Sequence, residues 1–115
     1  MQPIVENIDD ITVVTLAGDR LEASNTAELK RDLAALLETE SRVVFDLSRL
    51  QFVDSSGLGT ILICLRELNA HGGKLVLCAM SKQVRALFEL VRMHRLLDIY
   101  DTREEALRGF SEKSA

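Results

Sequence analysis

The 115-residue chain has no tryptophan, one tyrosine and four phenylalanines, so its core has to be built from Leu, Ile, Val and Ala. Its single proline is residue 3. No proline-rich or glycine-rich linker divides it, and it reads as one domain over residues 1–115, with the core at about 3–110. Cys64 and Cys78 are the only cysteines, and neither stands in a Cys-x-x-Cys or Cys/His ligand spacing. Both lie in apolar runs, where a free thiol is expected to be buried and inert. His71 and His94 stand apart from each other and from any ligand pattern, so no metal and no cofactor are expected. The longest apolar stretch, Gly57 to Leu65, ends at Arg66 and falls well short of the ~20 residues of a membrane span. Met1 to Glu6 lack the basic and apolar regions of a secretion signal. Positive charge is not in excess either: 14 basic residues face 18 acidic ones, for a net charge of −4. Nucleic acid and anionic lipid both need a concentrated positive field. The expectation is a cytoplasmic protein with no nucleic-acid partner and no membrane insertion.

What is present has the pattern of an α/β domain. Ile4-Val5 and Ile11 to Leu16 read as two strands, with Glu6-Asn7 and Asp9-Asp10 as turn material between them. Ser24-Asn25-Thr26 opens a helix, with Asn25 and Glu28 at capping-box separation. Leu29, Leu33, Leu36 and Leu37 then fall on one helical face. Val43-Val44-Phe45 and Leu75 to Ala79 are apolar at successive positions, which suits strands buried on both faces. A helix over about Gly57 to His71 separates them and stops at Gly72-Gly73. Ser81 caps a further helix carrying Val84, Leu87, Phe88 and Val91, and Asp98-Ile99-Tyr100 is a last strand. Thr102 and Glu105 open a terminal helix. The predicted order is β-β-α-β-α-β-α-β-α, with a mixed β-sheet packed with helices.

One stretch departs from core building: Asp54-Ser55-Ser56-Gly57-Leu58-Gly59, between a buried strand and the next helix. Ligands in open α/β sheets gather at the carboxyl ends of strands, where helix N-termini present free N–H groups to an anion. The plainer alternative is that Asp54 or Ser55 caps the helix and the glycines allow a tight entry. Turning by roughly 100° per residue, Leu58, Ile61, Leu62, Leu65 and Leu68 make one buried stripe. On that projection Ser55 leans toward the core edge and Ser56 faces solvent, together with Thr60, Ile63 and Glu67. An exposed Ile63 beside an exposed serine favours a partner-docking surface. Catalytic motifs fit poorly. No Lys follows Gly59 as a Walker A loop requires, and no Gly stands two positions before either serine as a nucleophile elbow requires. No catalytic residue is assigned, and a nucleotide-binding or hydrolytic domain is the alternative of a different class.

At this loop the chain resembles the STAS domain family, in particular the single-domain anti-sigma factor antagonists of bacterial partner-switching systems. Val43 to Ser48, then Phe52 to Gly59, look like the family's central strand, loop and helix start. Gly72 to Cys78 and Ser81-x-x-Val84-x-x-Leu87-Phe88 are similar to its next strand and helix. The resemblance implies that the second serine of the motif, Ser56, is phosphorylated by an anti-sigma factor that is also a serine kinase. The unphosphorylated antagonist would bind that kinase and free the sigma factor, the phosphorylated form would let go, and a PP2C-type serine phosphatase would reset it. It also implies that Gly18 to Glu22 belongs to the kinase-facing surface, with Glu22 where the family usually has Asp. Partner contacts are therefore expected at Gly18, Glu22, Ser56, Thr60 and Ile63. Within the same fold, the alternative is a STAS scaffold module of a sensory or lipid-transport assembly.

Overall fold

The computed structural model describes residues 2–113, and side chains over residues 2–110. The remaining ends of the expected domain, residues 1, 114 and 115, lie outside the described residues. The order is β1 (Ile4–Ile8), β2 (Ile11–Thr15), β3 (Arg20–Leu21), α1 (Thr26–Thr39), β4 (Arg42–Asp46), β5 (Phe52–Val53), α2 (Ser55–Ala70), β6 (Lys74–Cys78), α3 (Lys82–Leu90), a 3-10 turn (Met93–Arg95), β7 (Ile99–Tyr100) and α4 (Arg103–Lys113). The main sheet runs β1-β2-β4-β6-β7. β1 is antiparallel to β2, and the other pairs are parallel. This is the expected mixed α/β architecture.

Two short strands were not expected. β3 and β5 pair in parallel as a separate two-stranded sheet. Each is two residues long, with one exposed and one buried side chain, so neither shows enough alternation to stand out. β1 also runs through Glu6-Asn7, where the sequence predicts a turn. The reversal falls at Asp9 and Asp10 alone, with φ of 50° and 66°. Positive φ at both central residues is what the type I′ turn of a two-residue hairpin requires, and Asp tolerates it better than most side chains.

The central strands alternate between two cores. Val14, Val43, Phe45, Leu75 and Leu77 join Leu29, Leu33, Ile61, Leu68 and Phe88, from α1, α2 and α3, on one face of the sheet. Val13, Val44, Val76 and Cys78 join Ala106 and Phe110 of α4 on the other. Burial on both faces is why these strands read as continuous apolar runs. Two helix readings need correction. Asn25 is the N-cap of α1 by position, but its side chain makes no capping bond. Instead it accepts from the Glu22 N–H and donates to the Arg20 carbonyl, fixing the loop before the helix. Val91 falls beyond the end of α3 and is exposed rather than part of the buried stripe.

α4 is tied to the sheet by Arg103. Its guanidinium donates to Asp46 at the end of β4 (3.1 Å), Thr15 of β2 (3.0 Å) and Glu6 of β1 (2.9 Å). Burial alone would push the Asp46 carboxyl up, but hydrogen bonds from Ser48 and the Arg103 cation outweigh it and hold it below its usual value. Two predictions follow from this packing. Arg103→Ala leaves Asp46 and Thr15 short of a partner and costs about 1.5–3 kcal/mol by chemical denaturation. Because the folded pKa is depressed, the Asp46 contribution is complete above about pH 4 and fades as pH falls through the folded value; Asp46→Asn therefore flattens the acid limb of a stability–pH curve. On α2, Ile61 is fully buried while Leu62 is only half-buried. Ile61→Ala is expected to cost about 2–5 kcal/mol, and Leu62→Ala distinctly less, as read from paired melts.

Candidate functional site: the start of helix α2

The site is built where β5 runs into α2. Asp54 is the N-cap, in extended conformation, and its carboxylate accepts from the Gly57 N–H at 2.9 Å. The other carboxylate oxygen accepts from the Ala23 N–H at 3.1 Å, across the loop between β3 and α1. One side chain thus joins the helix start to the residue that follows the Gly18–Glu22 segment. The Gly57 N–H foremost, with those of Ala23 and Ser56, holds the Asp54 carboxyl below its ordinary range against the opposing effect of desolvation.

Gly57 sets the depth of the seat. A Cβ there would lie 2.5 Å from the Leu21 carbonyl oxygen and 2.9 Å from a Val53 methyl. Only a residue without a side chain lets α2 start this close to β3. At the far end, Gly72 takes φ +83°, and the N–H groups of Gly73 and Gly72 return to the carbonyls of Leu68 and Asn69. That closes the helix in a Schellman arrangement. His71 lies between them as the C-cap, with its Nε2 2.7 Å from the Leu37 carbonyl of α1.

The buried side of α2 is not the expected one. It carries Gly57, Thr60, Ile61, Cys64, Leu65 and Leu68, while Leu58 and Leu62 are half-buried. At 100° per residue its centre is turned by roughly 60° from the stripe of large aliphatics. Small residues occupy the inward positions, and a projection that counts only bulky apolar side chains misses them. Thr60 is the clearest correction. It was expected at the partner surface, yet it is 3% exposed, its hydroxyl satisfied by donating to the Ser56 carbonyl at 2.9 Å. Ser56 is exposed as expected, but Ser55 is exposed too and neither caps nor packs inward. On the observed arc, Ser55 lies farther from the buried centre than Ser56. Ile63 is exposed, and Gly59 is half-buried with open space where a Cβ would stand.

The second segment lies beside this helix start. Gly18 is half-buried in the loop before β3. Glu22 is half-buried as well, and its carboxylate is held by the Arg20 Nε at 2.7 Å. Arg20 and Phe52, on the paired strands β3 and β5, were not singled out from sequence. The guanidinium carbon lies 4.3 Å from the centre of the exposed Phe52 ring. Among the described residues, no three His, Cys, Asp or Glu side chains gather where a metal ion could be held. Burial pushes both thiols up, Cys64 and Cys78 alike, to about 12.

A family model described as the STAS domain matches residues 2–106. The chain belongs to the STAS domain family. Over 96% of its length this STAS domain is 32% identical to BtrV of Bordetella bronchiseptica, which bears the name of an anti-sigma factor antagonist and is matched over 95% of its own length. The crystal structure of a Thermotoga maritima protein that bears the name of an anti-sigma factor antagonist aligns with TM-score 0.83 at 26% identity, covering 93% of this chain and 92% of that one. The phosphorylated form of SpoIIAA from Bacillus shares the fold, with TM-score 0.72 at 23% identity over 94% of this chain and 98% of that one. Among the described residues, no helix is long and apolar enough to cross a membrane.

The two glycines of the helix start make opposite predictions. Gly57→Ala forces the helix off the Leu21 carbonyl and lowers the melting temperature. Gly59→Ala meets nothing within 4 Å, removes the conformational cost of a helical glycine and raises stability by about 0.5–1 kcal/mol. Circular dichroism melts of the two variants check both signs.

Proposed function

We propose that this STAS domain, one unit over residues 1–115, is an anti-sigma factor antagonist acting as a phosphorylation-controlled binding switch. In this reading it is not itself a catalyst, and it works in the cytoplasm. Unphosphorylated, it binds a serine-kinase anti-sigma factor and so releases a sigma factor. Phosphate on the helix start ends that binding, and a PP2C-type phosphatase restores it. The observation that carries the reading is the pair of exposed hydroxyls, Ser55 and Ser56, in the first turn of a helix whose cap is already supplied by Asp54. Neither hydroxyl has a structural task, so either can be modified without loss of the cap. Support also comes from the kinship with proteins named as anti-sigma factor antagonists.

The physics of the switch separates folding from binding. An anion in the first turn is favoured by the helix dipole and by free amide groups. The same charge at a packed partner surface has to give up its water. Phosphate therefore leaves the domain intact and weakens the complex. Family resemblance points to Ser56 as the acceptor, while the observed arc of α2 gives Ser55 the more open position.

Incubation with ATP and the purified anti-sigma factor kinase of the same host, followed by mass spectrometry of the Ser55→Ala and Ser56→Ala variants, assigns the hydroxyl. Label is expected to vanish from one variant and persist in the other; label retained by both would sink the proposed site. Aspartate at the acceptor position is expected to hold or raise stability by about 0.3–1 kcal/mol while weakening kinase binding more than a hundredfold, which is about 3 kcal/mol. Alanine there keeps binding. Wild-type affinity in both aspartate variants favours the scaffold role instead.

A further inference from the structure

Three of the four phenylalanines, Phe45, Phe88 and Phe110, are buried, whereas Phe52 is 41% exposed. It stands two residues before Asp54, at the entry to the switch helix. Beside its ring lies a groove of about 380 Å³ between β5 and α3, lined by Gln51, Phe52, Val53, Gln83, Val84 and Leu87. That lining contains no charged side chain. On the β3 side of Phe52, the residues that flank the paired strands include three acids, Asp19, Glu22 and Asp54. The Asp19 carbonyl accepts from the N–H groups of Gln51 and Phe52 at 2.7 and 3.2 Å, which places Asp19 against β5. Asp19 is exposed and carries no ion pair among the described residues. The cation there, Arg20, is spent on Glu22 and on the Phe52 ring. An uncharged groove with an exposed carboxylate, Asp19, on its β3 side is complementary to an apolar side chain flanked by a cation. Exposed aromatic residues beside uncharged pockets are also the usual anchors of protein interfaces.

We propose that Phe52 and the β5–α3 groove receive an apolar side chain of the anti-sigma factor, with a neighbouring lysine or arginine of that partner directed at Asp19. The proposal rests on the reading of the α2 start as the partner-binding face and extends that face across β5 to α3. Affinity then comes from the groove, and the serine pair beside it controls release. Phe52, Gln83 and Asp19 become determinants of which anti-sigma factor is accepted, although none of them touches the phosphate.

The test is calorimetric titration of the purified host anti-sigma factor with Phe52→Ala, Gln83→Arg and Asp19→Lys, beside a Ser55→Asp/Ser56→Asp double variant. Gln83 and Asp19 are exposed, so their variants keep the wild-type melting temperature and answer the question even if Phe52→Ala loosens β5. Each of the three is expected to weaken binding about tenfold or more. If Gln83→Arg and Asp19→Lys bind within about twofold of wild type while the double aspartate variant does not bind, the groove proposal is overturned and the switch reading stands. If the double aspartate variant also binds like wild type, both fall. A dimer of this chain that Gln83→Arg dissociates, with kinase affinity unchanged, would assign the groove to a second copy and overturn the proposal.

Discussion

Helix α2 rests directly on a backbone carbonyl. Its third residue, Gly57, sits where any Cβ would collide with the Leu21 oxygen, and this near contact fixes the distance between the helix start and β3. The Asp54 carboxylate then secures the seat by binding N–H groups on both sides of it, Gly57 in the helix and Ala23 in the loop before α1. Other features of the site follow from that placement. Ser55 and Ser56 emerge in the first turn, Glu22 is carried on the adjoining loop, and β3 pairs with β5 to bring Arg20 over Phe52. A bulkier residue at position 57 would shift all of them together.

Behind the site is a sheet buried on both faces. Three helices cover one side and α4 covers the other, so the central strands have no freedom to tilt or slide without opening one of two cores. Arg103 adds a polar fastening at the edge of the second core by reaching β1, β2 and β4 at once. Buried side-chain polar atoms among the described residues all have hydrogen-bond partners. Such a scaffold is suited to a switch that works by changing its surface. A charge added to an exposed first turn has no packed element to displace, and its effect falls on whatever meets that surface.

The helix start also separates groups with a structural task from exposed groups that have none, at the level of single atoms. Asp54 does the capping, which releases both serines from it. Thr60 satisfies itself on the Ser56 carbonyl and withdraws inward. Glu22, the acid that family resemblance links to the partner, is not idle in the free protein, because Arg20 already holds it. This surface is ordered in the free protein, with the acid held in place and the aromatic ring partly covered.

The sequence by itself determined the class of fold, the order of the main elements and the position of the loop that opens α2. Those features depend on local chemistry and on period: continuous apolar runs for two-faced strands, capping residues, glycine stops and one motif of unusual composition. The tertiary structure decided which way α2 faces. Its inward side carries Gly57, Thr60 and Cys64, small residues chosen by the closeness of neighbouring elements, and no count of large aliphatics along the helix reveals that closeness. For the same reason Thr60 lies in the interior rather than at the surface, and Ser55 is exposed along with Ser56. The pairing of β3 with β5, and with it the stacking of Arg20 on Phe52, joins residues 32 positions apart in two-residue strands. Segments so short have no period to read, and only the folded chain brings them together.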